Sequence, residues 1–154
     1  MIAAVEDLDR HAELLQEAYT VGALIDLLVT AELRAAGVPA TLFSFLGWVR
    51  RLEPVTPGRL ADETGMPPTT IRDYVRRLVE RGDVRKAPNP ADGRSYHLVL
   101  TAKGRRLSDR GWPAVKAAYL RVAPNLERDP EDYLAFTREL RDALRDALRS
   151  PASP

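Results

Sequence analysis

The sequence predicts a mainly α chain with one small β-hairpin (α+β), folded as a single domain over residues 1–154. Apolar residues recur at helical spacing in successive stretches from one end of the chain to the other. A single stretch, Tyr96 to Leu100, follows the period-two spacing of a half-buried strand. The strongest breakers, Gly37, Gly65, Gly82 and the run Pro88-Asn89-Pro90-Ala91-Asp92-Gly93, fall between these stretches.

Residues 6–36 read as one long amphipathic helix. Leu8, Leu14, Leu15, Ala18, Val21, Ala23, Leu24, Leu27 and Leu28 form a broad apolar face, and Gly37 ends it. Pro39 opens a second helix over 40–52, where Leu42, Phe43, Phe45, Leu46, Trp48 and Val49 leave almost no polar side. A helix apolar all round is buried all round, so this one should lie between the lobe that follows and something else.

Thr56 can cap a short helix with Pro57 at its first position, where a missing N–H costs nothing. That helix carries Leu60 and Ala61 and stops at Gly65. The next runs from Pro68 to just before Gly82. Ile71, Tyr74, Val75 and Leu78 lie on one of its faces, and Thr69, Thr70, Arg72, Asp73, Arg76 and Arg77 on the other. This is a helix-turn-helix, and its second helix shows the polar face that a major-groove reader needs.

Residues 83–87 and 95–100 read as the two strands of a hairpin, with Tyr96, Leu98 and Leu100 alternating with His97 and Val99. The Pro-rich run between them is the hairpin tip, where Gly93 permits a tight turn. Thr101 then caps a long helix, 102 to about 122, with Pro113 inside it and a kink expected there. Asp129-Pro130 starts the last helix, with Leu134, Leu140, Leu144 and Leu148 along one side. The tail 150–154 is expected to be disordered. The first helix and the two after the hairpin carry apolar stripes that one small lobe cannot cover, and a second copy of the chain can.

Several function classes are excluded by composition. There is no Cys, so disulfides, thiolate metal sites and cysteine redox sensing are ruled out. His11 and His97 are the only histidines, too few for a His-rich metal cluster. No nucleophile–base pair, phosphate-cradling Gly loop or metal-ligand spacing is present, so no enzyme, cofactor or catalytic residue is expected. The first ten residues are polar and acidic where a signal peptide would be apolar. The apolar run 21–31 is broken by Asp26 and falls short of the roughly 20 residues of a membrane span. A cytoplasmic protein without a membrane partner is the expectation.

The formal net charge of +1 conceals a segregation of sign. From Arg50 to Arg110, Lys and Arg number fourteen and Asp and Glu eight, a local +6; the remainder holds nine against fourteen, or −5. The basic half coincides with the helix-turn-helix, as counterion release from DNA phosphates requires.

The stretch from Gly58 to Leu107 resembles the winged helix-turn-helix of the MarR family of bacterial transcription regulators. The matching features, in order, are Leu60-Ala61 with Gly65, the L-x-x-R-G-x-V pattern from Leu78 to Val84, Asp92-Gly93-Arg94, and L-T-x-K-G from Leu100 to Gly104. The family's T-x-x-R is met in part, since Asp73 follows three places after Thr70, and Pro67 replaces the usual Ser or Thr cap. The resemblance implies a winged lobe over 39–101, with dimerisation helices over 1–38 and 102–149 that intertwine into a two-fold dimer. It also implies a repressor released by a small, often aromatic and anionic ligand.

The residues expected to meet DNA follow. Thr69 and Thr70 lie in a first turn, where hydroxyls and free N–H groups meet phosphates or base edges. Arg72, Arg76 and Arg77 can grip phosphates, and an Arg fork can pair with guanine O6 and N7. Asp73 can accept from cytosine N4 or orient Arg76 or Arg77. Arg85 and Lys86 are candidate phosphate contacts. By resemblance Arg94 enters the minor groove, braced by Asp92. Candidates for a ligand pocket are Arg10, His11, Tyr19, Phe43, Trp48 and Trp112. Two functions follow: a homodimer that binds double-stranded, pseudo-palindromic operator DNA, or a winged-helix dimer that acts through ligand or protein contact without reading DNA.

Overall fold

The computed structural model describes residues 2–150, with side chains from residue 12 onward. Arg10 and His11 therefore lie outside the described side chains, and 151–154 outside the described residues. The elements are α1 (Ile2–Ala35), α2 (Ala40–Leu52), α3 (Pro57–Thr64), α4 (Pro68–Glu80), β1 (Val84–Pro88), β2 (Tyr96–Leu100), α5 (Ala102–Val122), a 3-10 turn (Ala123–Asn125) and α6 (Pro130–Arg149).

The boundaries follow from local chemistry. Thr56 Oγ1 accepts from the N–H of Arg59 (3.2 Å), and Thr101 Oγ1 from that of Gly104 (3.1 Å). Asp129 Oδ1 accepts from the N–H of Glu131 at 2.9 Å. Each fills one of the donors that a helix start leaves open. Gly65 (φ 69°) closes α3, and Gly82 (φ 72°) turns α4 into the hairpin.

Helix α2 forms the centre. It packs against α1 and α5 on one side and against α4 and β2 on the other, as its all-round apolar surface requires. Phe45, Leu46 and Val49 are fully buried, and the Phe45 ring stacks on Tyr74 of α4 with centroids 4.9 Å apart. Leu60, Ile71, Leu78 and Leu98 close the lobe beneath it. Trp48 is only half-buried.

The hairpin is antiparallel, in a register from Val84↔Leu100 to Pro88↔Tyr96. Pro88 therefore belongs to the strand rather than to the tip; it stands at the end of a two-stranded sheet, where a missing N–H is tolerated. Val55, in the α2–α3 link, adds an isolated bridge to Leu98, with N–H···O distances of 3.3 and 2.7 Å. The tip is held by side chains: Asn89 Oδ1 accepts from the N–H of Ala91 and Asp92 Oδ1 from that of Arg94. Gly93 is not required for its conformation, because its φ is not positive and a Cβ there would meet nothing.

Asp83 corrects the expected first strand, which begins one residue later. Its side chain is fully buried, with Arg81 Nε 2.8 Å from Oδ2 and Lys103 Nζ 3.8 Å from Oδ1. The hydroxyl of Thr101 donates to the carbonyl of Gly82 at 2.7 Å, and the N–H of Thr101 to that of Asp83 at 3.1 Å. A Cβ on Gly104 would stand 2.0 Å from the Asp83 carbonyl oxygen. The L-T-x-K-G stretch is thus the joint between α4, the hairpin and α5.

One expectation, that the apolar run falls short of a membrane span, holds for residues 21–31 but not for the helix as a whole, measured by length and composition only. Over Ala12–Ala35, α1 is long and apolar enough by length and composition to cross a membrane, with mean hydropathy 1.3. The Ala, Gly and Thr residues around the 21–31 run dilute its charges, so the apolar stretch is longer than the leucines alone suggest. Among the described residues, the large exposed apolar side chains all lie on α1, α5 and α6; Tyr19, Leu24, Leu27, Leu120 and Leu148 are more than half exposed.

Candidate DNA-binding surface and adjoining cavity

Helix α4 is divided as its spacing predicts. Ile71, Val75 and Leu78 are buried, while Thr69, Arg72, Asp73, Arg76 and Arg77 are exposed and Thr70 is half-buried. Its N-cap is Pro67, which makes no side-chain cap bond, and Pro68 follows. Neither proline has an N–H, so the first-turn donors left over are those of Thr69 and Thr70. Both point out of the end of the helix that carries its positive partial charge. What Pro67 takes away as a cap it leaves as two amides open to an outside acceptor.

The charges on this surface are mostly untethered. Asp73 Oδ1 lies 3.3 Å from Arg76 Nη2, so it orients Arg76 rather than Arg77. Among the described residues, no carboxylate pairs with Arg72, Arg77, Arg85 or Arg94. By contrast Arg81 and Lys103 are tied to Asp83, and Arg105 to Glu53 at 2.7 Å. Lys86 Nζ sits 4.4 Å from the centroid of the Tyr96 ring, which steers its ammonium without neutralising it. Asp92 braces Arg94 through its backbone N–H at 3.0 Å, leaving the guanidinium unengaged.

A cavity of about 660 Å³ opens between α1, α2 and α5. Phe43, Trp48 and Trp112 line it, three of the expected pocket residues. Tyr19 does not, standing 81% exposed on α1. Sequence reasoning missed its cations. Arg50 Nη1 donates to Ser108 Oγ (2.8 Å) and to Asp109 Oδ1 (2.7 Å), and the Arg51 guanidinium lies 5.5 Å from the Trp48 ring centroid. The signal was the i, i+3 spacing of Trp48 and Arg51, hidden by the apolar surroundings. Gly111 brings α5 close, since a Cβ there would meet the Phe43 ring at 2.1 Å.

The profile of the MarR family matches residues 36–95. The HTH-type transcriptional repressor Rv2887 of Mycobacterium tuberculosis is 31% identical over 108 residues, covering 70% of this chain and 78% of the relative. The chain belongs to the MarR family. Its fold is also that of a mutant E. coli MarR complexed with operator DNA, at a TM-score of 0.71 and 23% identity, covering 82% of this chain and 91% of that one. The M. tuberculosis MarR family protein Rv2887 in complex with salicylic acid matches at a TM-score of 0.58 and 28% identity, covering 82% and 92%. In this MarR-family chain the helix-turn-helix and hairpin fall where the sequence motifs put them.

Proposed function

We propose that the chain is a homodimeric, sequence-specific DNA-binding transcription regulator of the cytoplasm, a repressor released by a small aromatic acid. The observation that carries the DNA reading is the set of cations on α4 and the wing without a carboxylate partner, Arg72, Arg77, Arg85 and Arg94, in a lobe where Arg50, Arg59, Arg76 and Arg81 are each paired with one. Guanidinium groups held without partners on one helix face and along the hairpin are suited to phosphates and base edges. Thr69 and Thr70 add two open amides for a phosphate, and Arg76 is aimed by Asp73. In the dimer the exposed apolar faces of α1, α5 and α6 cover one another. Support for this reading comes from the operator complex of the E. coli relative and from the repressor named in M. tuberculosis.

The cavity suits an aromatic anion: Phe43, Trp48 and Trp112 offer ring faces, and Arg51 offers charge at its wall, with Arg50 beside it already tied to Asp109. The salicylic acid complex of Rv2887 supports that class. A ligand wedged between α1, α2 and α5 moves the lobe relative to the helices that fix the dimer.

Selecting bound duplexes from random DNA tests the function. A pseudo-palindrome with half-sites about one helical turn, roughly 34 Å, apart is the expected product. Recovery of no common site would leave the ligand- or protein-binding dimer as the reading. For the cavity, salicylate should quench Trp48 and Trp112 fluorescence and weaken operator binding, whereas benzyl alcohol, lacking the charge, should do neither.

A further inference from the structure

Helix α6 has no fully buried residue, yet the Arg145 side chain is only 18% exposed. Its guanidinium reaches 82 positions back along the chain to the last turn of α3. Nη2 donates to the backbone carbonyl of Glu63 and lies 3.2 Å from Glu63 Oε2, while Nη1 is 3.4 Å from Asp142 Oδ1. Arg59 holds the same carboxylate at 2.7 Å from the other side. Burial pushes the Glu63 carboxyl up, but hydrogen bonds and charge from Arg59 and Arg145 outweigh it and keep the carboxyl below its ordinary value.

The place of this contact gives it a role. The Glu63 carbonyl is among the last of α3, with no intrahelical N–H to satisfy it, and the end of a helix attracts a cation. Two residues later Gly65 turns the chain into α4, whose own start has no side-chain cap. The turn that aims α4 is therefore tied by a side chain from α6. Exposed ion pairs add little to folding. The importance of this one is geometric, because it joins the lobe to a helix whose apolar side is otherwise unpaired.

We propose that Arg145 is a positioning residue for DNA binding: by capping α3 from α6 it fixes the angle of the helix-turn-helix against the dimer helices, and so sets the half-site spacing the dimer accepts. The inference rests on the operator-binding dimer proposed above. One base-pair step is about 3.4 Å along the axis, so a small rotation of each lobe changes the preferred spacing.

The test measures binding of the full chain to its selected operator and to versions with half-sites moved by one or two base pairs either way. Wild type, Arg145→Ala, Arg145→Lys and Glu63→Gln are compared, with sedimentation confirming dimers. Arg145→Ala should lose spacing preference by about fivefold, the scale of a partly exposed ion pair, with base preference inside each half-site unchanged. Arg145→Lys, which keeps a cation for the carbonyl but not the fork, should fall between, and Glu63→Gln should resemble it. Should Arg145→Ala fail to fold, those two variants decide. A spacing profile equal to wild type in the folded dimeric variants overturns the inference. Failure of the wild type to bind any operator overturns the DNA reading instead.

Discussion

The lobe from α2 to β2 and the helices that flank it obey opposite rules. In the lobe, apolar side chains at helix or strand spacing are buried by one another: Phe45, Leu46, Leu60, Ile71, Leu78 and Leu98 are all essentially inaccessible. In α1, α5 and α6 the same kind of spacing yields side chains that remain in contact with solvent, with Leu27 68% and Leu120 67% exposed. The lobe is finished within one chain, and the flanking helices are not. Periodicity specifies which residues share a face; only the count of available partners specifies whether that face is covered.

The largest expected effect lies in the unfinished half. Deleting 131–154 removes the α6 stripe and leaves its partners bare, so the product should aggregate or unfold at micromolar concentration. A well-behaved monomer, seen by sedimentation, would show that the stripes need no second copy. Leu78→Ala attacks the finished half, and should cost about 2–5 kcal/mol by leaving a cavity. The sharper distinction is how each change responds to dilution. For Leu24→Glu on α1 the fall in Tm should grow as protein concentration drops, because the dimer is what it weakens. For Leu78→Ala the shift should not depend on concentration.

Smaller effects come from the joint between the two halves. In Gly104→Ala the added methyl meets backbone, so overpacking of about 1–3 kcal/mol is expected in urea unfolding. Gly111→Ala meets an aromatic ring that can turn aside, so it should cost less in stability and change ligand affinity more. Thr101→Ala removes a cap and should cost about 1 kcal/mol. The contacts of Glu63 and Asp142 give the weakest signal, through pH. Side-chain hydrogen bonding from Arg141 lowers the Asp142 carboxyl, and burial only partly opposes it; Arg59 and Arg145 lower that of Glu63 against its burial. Folded-state values below the unfolded ones mean that this stabilisation is complete above the unfolded carboxyl range. It is lost as pH falls through the lowered values. Acid unfolding of Arg145→Ala should therefore be less steep than that of the wild type.

What the sequence disclosed was what short-range chemistry decides. Thr56, Thr101 and Asp129 as caps, Gly65 and Gly82 as turns, and the buried face of α4 could all be read directly. The place of Arg50 in the cavity and the Arg145–Glu63 contact could not. Arg50 meets Ser108 and Arg145 meets Glu63 across long sequence separations, with no spacing rule linking them. Asp83 was also illegible: a charged residue opening a strand reads as exposed, and its burial is explained by Arg81 at 2.8 Å and the more distant Lys103 at 3.8 Å. The wing tip misled in the opposite direction, because Gly93 suggested a conformational need that Asn89 and Asp92 meet with side chains.

The most direct test of the division of labour is the salt dependence of operator binding for wild type, Arg76→Ala, Arg77→Ala and Arg94→Ala, on cognate and single-base-changed duplexes. A base-reading arginine should cost about 1–3 kcal/mol on the cognate site and relax preference at one base pair. One that only holds phosphate should weaken all duplexes alike and lower the salt slope by about one. Arg94→Ala should weaken binding most where the flanks are A/T-rich and the minor groove narrow. All three variants should remain dimers, since none touches the flanking apolar faces. Wild-type affinity and salt slope in all three would contradict the account, because the exposed arginines of the α4 face and the wing would then have no part in binding DNA.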